Sequence, residues 1–578
     1  MIYRVLALVL FLSVLSSATI LPSDIQYMIN RHKFKSNEVS IYIKEAGKNS
    51  VVASYNIDRE MMPASVIKVY STYASLLELG YGYSWQTKFY YSGRVKRGVL
   101  SGDIAIKASG DPTLNSSDIP RIVSAFKSKG IRVIKGDIII DRSYFKPTKR
   151  DSSHFDKNVY SAYNAMPDAM MFNQHMSKFT IYSKGGKHYV DKAIPGNSYR
   201  VQNSIKSVSG SCRGKNSWPS IRVDHSTSIP TLVVSGRLSK SCGKRTHRYI
   251  ITKPYREFYY SLVNEFKRQG IKYNGKMRLA RVPTGAKKFY TNYSDSLEKI
   301  ISITAKKSNN LFARHLLLTL GAKIYGTPSS LEKGRRAVRH ILNRYHLLDS
   351  NRCHIDNGCG LSRSSRITAR SMSKVLDHAY KRYGKRWMRT LSIAGVDGTI
   401  KRRFRGSIVQ NRAWMKTGTL NNAKNIVGYV QSRSGKLYTV VILTNGKRAR
   451  WHGAALENEI IKWLIAYNGS GSRVSIDPIT QKIDENSRKL WGGNDITAAK
   501  VAPLRESPKR YFIQVGSYAS KPKREFLQKI IDSGFSYKVI KKEGNYKVLV
   551  GPYHRQKDAT SALSRINKSM PSAYMVQM

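Results

Sequence analysis

The sequence predicts an α/β multidomain chain: an antiparallel sheet with helices, interrupted by a mainly β insertion and followed by a separate βαββαβ module. Three observations carry this. Strand-like runs lie at both ends of one long segment, Val39–Ile43 and Val51–Tyr55 near its start, Asn425–Val430 and Leu437–Leu443 near its end. Between them, residues 86–264 hold short alternating strands cut by Gly, Asp, Ser and Pro turns. Beyond a polar, weakly patterned stretch opened by Asn468-Gly-Ser-Gly-Ser472, residues 509–578 regain strand and helix periodicity.

The first residues read as an export leader. Arg4 supplies positive charge, Val5 to Leu15 a short apolar run and Ser16-Ser17-Ala18 small residues at a cleavage point, so residues 1–18 are assigned as a signal peptide. No later apolar run reaches the roughly 18 residues of a membrane span. The four cysteines, Cys212, Cys242, Cys353 and Cys359, fit an oxidising compartment. Of the three possible pairings, Cys212–Cys242 with Cys353–Cys359 closes the two shortest loops and is the one expected. The formal net charge of +64 attracts polyanions: nucleic acid, anionic lipid or an acidic wall polymer. Lys and Arg are spread over the whole length, which favours a habit of the compartment over one dedicated nucleic-acid groove.

Within the long segment, Pro63 suits a first helical turn. Val66, Val69/Tyr70, Tyr73 and Leu76/Leu77 then recur at a helical period until Gly80. Ser65 falls in the first turn, with Lys68 three residues on and on the same face. A serine beside an amine at a helix start is a candidate nucleophile and base. Ser-x-x-Lys is common in a lysine-rich chain, so the pair needs partners. Strands at Thr87–Val95, Gly102–Lys107, Arg132–Ile140 and Thr231–Ser235 belong to the insertion. Helical patterns at Leu297–Thr304 and Leu311–Leu320 follow, with Ser308-Asn309-Asn310 on the loop between them. A hairpin strand then carries Trp414-Met415-Lys416-Thr417-Gly418-Thr419, and a helix from Ala454 to Tyr467 closes the segment.

Ser65-x-x-Lys68, Ser308-Asn309-Asn310 and Lys416-Thr417-Gly418 stand in the order and setting of the serine β-lactamase and penicillin-binding protein motifs. Further matches are Lys107–Leu114, Gly136–Asp141, Leu361-Ser362-Arg363, Asp397-Gly398-Thr399 and Asn445-Gly446. With these, residues 24–467 resemble the exported D-alanyl-D-alanine carboxypeptidase/endopeptidases, low-molecular-mass penicillin-binding proteins with domains inserted between the first two motifs. The resemblance implies a β-lactamase/transpeptidase-like fold, its catalytic domain split into residues 19–85 and 265–467 around the inserted 86–264. It implies no metal and no cofactor. It also implies acyl transfer: Ser65 attacks the carbonyl of the penultimate D-Ala while a neutral Lys68 takes its proton. Burial and the charge of Lys416 are expected to push the Lys68 pKa down. Ser308 passes a proton to the leaving amine, and Asn310 holds the substrate amide. Backbone N–H groups of Ser65 and Thr419 form the oxyanion hole, and Lys416 with Thr417, Gly418 and Thr419 binds the terminal carboxylate. Arg363 suits a stem-peptide carboxylate, Asn421 the same stem, and Asp156 the free amine of a diamino acid. One departure is visible. Where the family usually has Asp-Gly-Ser-Gly-Leu-Ser-Arg, this chain has Asp356-Asn357-Gly358-Cys359-Gly360-Leu361-Ser362-Arg363, which predicts a remodelled loop.

The tail beyond the 468–508 linker, with Phe512–Tyr518 and Tyr546–Tyr553, is similar to SPOR domains. Those bind peptidoglycan glycan strands stripped of stem peptides and often accumulate at division sites. Gln514, Ser517, Tyr518, Tyr546 and Tyr553 are the glycan-binding candidates, as tyrosine and glutamine exposed on a sheet can stack on sugars and bond their hydroxyls. The expected partners are peptidoglycan stem peptides, denuded glycan strands and β-lactam antibiotics as covalent inhibitors. The expected place is the periplasm or cell envelope, peripheral to the wall. Three rival readings are weaker. A β-lactamase has no need of the insertion or a wall-binding tail, and a non-catalytic wall binder has no need of the complete motif triple. A nucleic-acid binder fits neither the leader nor a tail without the Gly/aromatic RNA signature.

Overall fold

A computed structural model describes residues 19–469, except 148–154, 157, 159 and 350, and most of 511–577. Residues 1–18, expected to be a signal peptide, and nearly all of the expected 468–508 linker lie outside the described residues. The chain forms two units, Met1–Asp477 and Pro478–Met578.

The first unit is built on a six-stranded sheet in the order Ser392–Ile393, Ala413–Leu420, Ala423–Gln431, Leu437–Asn445, Val39–Glu45, Val51–Tyr55. Every neighbouring pair is antiparallel. Strands from opposite ends of the segment meet at its middle, where Ile41 lies opposite Ile442. Alternation assigns the two faces. Val427, Tyr429, Val441 and Leu443 pack under the Lys68–Leu79, Leu297–Lys306, Asn310–Tyr325, Leu331–Asn343 and Ala369–Met388 helices. Ile426, Val430, Val440 and Ile442 pack under Ser23–Arg31 and Ala449–Ala466. Covered on both faces, the central strands read as near-continuous apolar runs.

The insertion contains helices as well as sheets. A five-stranded sheet (Met277–Leu279, Ile138–Asp141, Ile104–Ala108, Gln86–Tyr91, Lys287–Tyr293) shares one core with the Ile119–Ser128 and Pro254–Arg268 helices. Two three-stranded sheets, built from residues 177–249, enclose a second core. Residues 272–293, expected with the catalytic part, pair with inserted strands instead. Their short polar runs carry no periodicity that separates the two assignments.

Cys212 and Cys242 form the expected disulfide. Cys353 and Cys359 do not pair: both are free and buried. Cys353 lies beside the buried Tyr70 hydroxyl, whereas the Cys359 Sγ donates to Asn357 Oδ1 at 3.1 Å. Loop length ignores which way the side chains point, and here they have different neighbours. Alkylation of the unfolded, unreduced protein should therefore label two thiols, and four after reduction. Labelling of none before reduction would show that Cys353 and Cys359 are joined.

The second unit is an antiparallel sheet ordered Tyr537–Lys542, Asn545–Tyr553, Tyr511–Tyr518, Tyr574–Gln577, with helices Arg524–Asp532 and Gln556–Ile566. Ile513, Val515, Val548 and Val550 form its core with Ile530, Ala562 and Ile566. This is the βαββαβ order expected.

Candidate active site

Two asparagines of the central sheet set the start of the nucleophile helix. The Met62 N–H donates to Asn445 Oδ1 at 2.6 Å, and Asn425 Nδ2 donates to the carbonyls of Met62 and Pro63 at 2.9 and 2.8 Å. Ala64 then turns left-handed, φ +48°, at a cost of about 1–2 kcal/mol for an L-residue. A 3-10 turn, Ala64–Ile67, carries Ser65 into the Lys68–Leu79 helix. Two glycines make room for this turn. A Cβ on Gly360 would lie 1.9 Å from the Ala64 carbonyl oxygen, and one on Gly418 2.7 Å from that of Pro63 and 2.9 Å from the Ser65 nitrogen. Gly418→Ala should thus move the sheet edge off the serine and slow acylation about a hundredfold. Circular dichroism and the melting temperature should change little; an unchanged rate would mean that the strand yields without cost.

Ser65 is half-buried and Lys68 fully buried. Lys68 Nζ donates to Ser65 Oγ at 2.7 Å and to Asn310 Oδ1 at 2.8 Å, and it also meets the carbonyl of Cys359. Burial pushes the Lys68 pKa down to about 8. The Cys359 sulfur works against this shift and the charge of Arg314 adds to it. The cation that supplements burial at Lys68 is thus Arg314, where Lys416 was expected. The mutual repulsion falls on Lys416, whose pKa burial and then Lys68 hold well below the usual lysine value.

The Ser308 backbone is left-handed, φ +52°. Asn309 caps the Asn310–Tyr325 helix by accepting the Phe312 N–H at 3.0 Å. Asn310, expected on the loop, is the first residue of that helix. Lys416, buried on its strand, donates to Ser308 Oγ at 3.0 Å and to the Thr417 carbonyl at 2.6 Å. The Thr417 hydroxyl meets that of Thr399 at 2.8 Å, so the Asp397-Gly398-Thr399 match stands at the same edge. Thr419 is exposed. All three motifs converge, with the Ser65–Lys68–Asn310 contacts linking the first two and Lys416–Ser308 the last two.

The remodelled loop has a direct part in this. Asn357 Oδ1 accepts the N–H groups of Cys359 and Gly360, each at 3.1 Å, and so turns the Cys359 carbonyl onto Lys68 and Ser65. Sequence reasoning missed this contact, the part played by Asn425 and two inserted residues, and it marked Asn445 only through the Asn445-Gly446 match. The Tyr163 carbonyl accepts from Asn310 Nδ2 at 3.0 Å, and Gln174 Oε1 accepts from Asn309 Nδ2 at 3.0 Å.

Of the weaker candidates, Asp156 accepts from the Tyr163 hydroxyl and from Asn164 Nδ2, each at 2.8 Å. Desolvation raises its pKa, but these hydrogen bonds outweigh it and hold the carboxyl below the usual range. Tyr163 thereby links Asp156 to Asn310. Arg363 is exposed, its guanidinium 5.2 Å from the Phe155 ring centre. Asn421 is exposed in the two-residue turn between Leu420 and Ala423.

In the tail, Ser517 is exposed and Tyr546 lies opposite Tyr518. Tyr518 and Tyr553 lean on the module's own core. Gln514, expected to be exposed, is buried at 7 %. It lies on an inner strand between Leu549 and Tyr574, whose side chains flank it on the same face. Tyr574, 52 % exposed on that face, was not singled out.

Residues 21–467 match the D-Ala-D-Ala carboxypeptidase 3 (S13) family and residues 507–577 the SPOR domain. A D-alanyl-D-alanine carboxypeptidase, DacB, of Haemophilus influenzae is 25 % identical over 422 residues, covering 71 % of this chain and 86 % of its own. A D-alanyl-D-alanine carboxypeptidase of an Actinomadura species is 23 % identical over 480 residues, covering 80 % and 88 %. The crystal structure of penicillin binding protein 4 from H. influenzae superposes with a TM-score of 0.63 at 22 % identity, over 81 % of this chain and 99 % of that one, and so shares the fold. The chain belongs to the D-Ala-D-Ala carboxypeptidase 3 (S13) family of serine peptidases and ends in a SPOR domain.

Proposed function

We propose that this protein is a penicillin-sensitive D-Ala-D-Ala carboxypeptidase that trims peptidoglycan stem peptides through an acyl-enzyme on Ser65, and opens cross-links by the same chemistry. The observation that carries this is the buried Lys68 amine, 2.7 Å from Ser65 Oγ and depressed toward neutrality. A base must be uncharged to take the serine proton, and a pKa near 8 leaves an appreciable neutral fraction at physiological pH.

The substrate's terminal carboxylate docks on Lys416, Thr417 and Thr419. An anion there stabilises the ammonium form of Lys416, and the repulsion between the two lysines then favours a neutral Lys68. Binding in this way prepares the base. Ser65 Oγ attacks the penultimate D-Ala carbonyl as its proton passes to Lys68, and the N–H groups of Ser65 and Thr419 take up the developing charge. Asn310 orients the substrate amide. Ser308, in contact with Lys416, delivers the proton to the departing amine. Water then releases the shortened peptide. Asp156, held ionised, suits the free amine of a diamino acid in the stem, and Arg363 and Asn421 its remaining polar groups.

The family and the SPOR match suit an exported protein working on the wall, and no described helix is long and apolar enough to cross a membrane. The tail holds the enzyme on denuded glycan strands, which would concentrate it at division sites. Its open face places Tyr574 beside Gln514, and Tyr574→Ala should weaken binding to stripped glycan about tenfold, as expected for one lost stacking partner. Equal retention of the variant and the wild type on amidase-treated wall would move the glycan site elsewhere.

Intact-mass analysis after incubation with penicillin, and product identification from cross-linked muropeptides, test the enzyme reading together. One adduct on Ser65 with release of D-alanine is expected. A well-folded protein that gains no mass overturns it.

A further inference from the structure

The inserted region contains a turn that is strained at three successive residues. Asn173, Gln174 and His175 all have left-handed backbones, φ +49°, +54° and +62°, and none is glycine. Such a run persists only where its surroundings over-determine it, and strain of this kind gathers at functional sites.

The anchors are identifiable on either side of the apex. Asn173 Oδ1 accepts the Ser116 N–H at 3.0 Å, and Asn173 Nδ2 donates to Ser116 Oγ at 3.0 Å. The His175 ring nitrogens face the carbonyls of Met166 and Thr252 at 3.3 and 3.1 Å. Gln174 between them is exposed, and its Oε1 accepts from Asn309 Nδ2 at 3.0 Å. The polarity of this contact follows from the cap. Asn309 Oδ1 is committed to the Phe312 N–H, so only its N–H groups remain to meet a partner. Asn309 stands between Ser308, whose left-handed backbone brings it to Lys416, and Asn310, which holds Lys68.

We propose that Gln174 is a positioning residue: the insertion, through this strained turn, clamps the Asn309 cap and thereby sets Ser308 and Asn310 against the two lysines. The inserted region in this way completes the active-site wall. Tyr163 reinforces the clamp, but through a backbone carbonyl that no side-chain variant removes. Gln174 is therefore the residue to test. The inference rests on the acyl-enzyme reading above, and the experiment separates the two.

The measurement is the second-order rate of acylation by labelled penicillin, on the full mature chain, with melting temperature alongside. Gln174→Leu removes the acceptor at similar volume and should lower the rate about tenfold by misplacing the second motif, with the melting temperature unchanged. Gln174→Glu keeps an acceptor and should restore a rate close to wild type. Asn309→Asp keeps the cap, and the Gln174 amide can turn its N–H groups toward the new carboxylate. Gln174→Glu with Asn309→Asp sets two carboxylates face to face, and should lose more than the product of the single effects. A wild-type rate in Gln174→Leu, a Gln174→Glu variant as slow as Gln174→Leu, or single effects that simply multiply in the double variant would each overturn the proposal. Wild-type protein that forms no adduct overturns the acyl-enzyme reading itself, and with it the role given to Gln174.

Discussion

Ser65→Ala should abolish both penicillin labelling and D-alanine release, a loss of roughly a million-fold in turnover. The site should otherwise stand. Removing Oγ leaves Lys68 with Asn310 and the Cys359 carbonyl as partners, so no buried amine is stranded. The melting temperature should hold, and the variant should still bind stripped glycan through its tail. Because Ser65 Oγ must attack the carbonyl on one side while giving its proton to Lys68 on the other, no neighbouring hydroxyl can substitute: Ser308 is engaged with Lys416. Single-turnover kinetics with a D-Ala-D-Ala peptide decide the matter. An alanine variant that releases D-alanine within a hundredfold of wild type would place the nucleophile elsewhere.

Lys68→Met is the second large effect, about a thousandfold in acylation, the scale of losing a positioned general base. It also has a signature in pH. The folded-state pKa near 8 lies below the ordinary value of 10.5. Below pH 8 the amine carries a proton and cannot accept one from Ser65, so kcat/KM should climb about tenfold per unit with rising pH and level off above 8. The methionine variant should lose that limb and keep a low, flat rate. Stopped-flow acylation between pH 5 and 9 reads both. If the limb survives in Lys68→Met, the titrating group is another one, and Lys416 is the obvious alternative because its pKa is also depressed.

The motif triple was legible because each part is local. Ser65 and Lys68 are one helical turn apart, and Lys416 follows from a hairpin that its own periodicity announces. The contacts that sequence reasoning missed run through space. Tyr163 and Gln174 reach Asn310 and Asn309 across separations of 147 and 135 residues, and neither lies in a patterned segment. Asn425 looks like an ordinary strand residue, and Asn445 is no more than part of a family match, until the Met62 backbone is laid over them. The cysteines show a different limit. Spacing found Cys212–Cys242 and failed for Cys353 and Cys359, because proximity in sequence says nothing of whether two thiols face each other. Gln514 failed for a related reason: alternation says which face a residue is on, and only the side chains on the neighbouring strands say whether they bury it there.

The pairing of Val39–Glu45 with Leu437–Asn445 has a consequence for how the molecule comes into being. A strand made early in synthesis waits for a partner made some four hundred residues later, and the sheet that carries Asn425 and Lys416 and braces the turn of Ser65 closes only then. The insertion needs no such wait, since its sheets and helices draw on residues 86–293 alone. Domains that satisfy themselves fold first during vectorial emergence, whereas distant pairings are slow and leave strand edges open meanwhile. The order of assembly is therefore inverted relative to the order of the chain. Vectorial folding would thus complete the inserted domains first, and the three motifs would meet only after the strands Ala413–Leu420, Ala423–Gln431 and Leu437–Asn445 have been made.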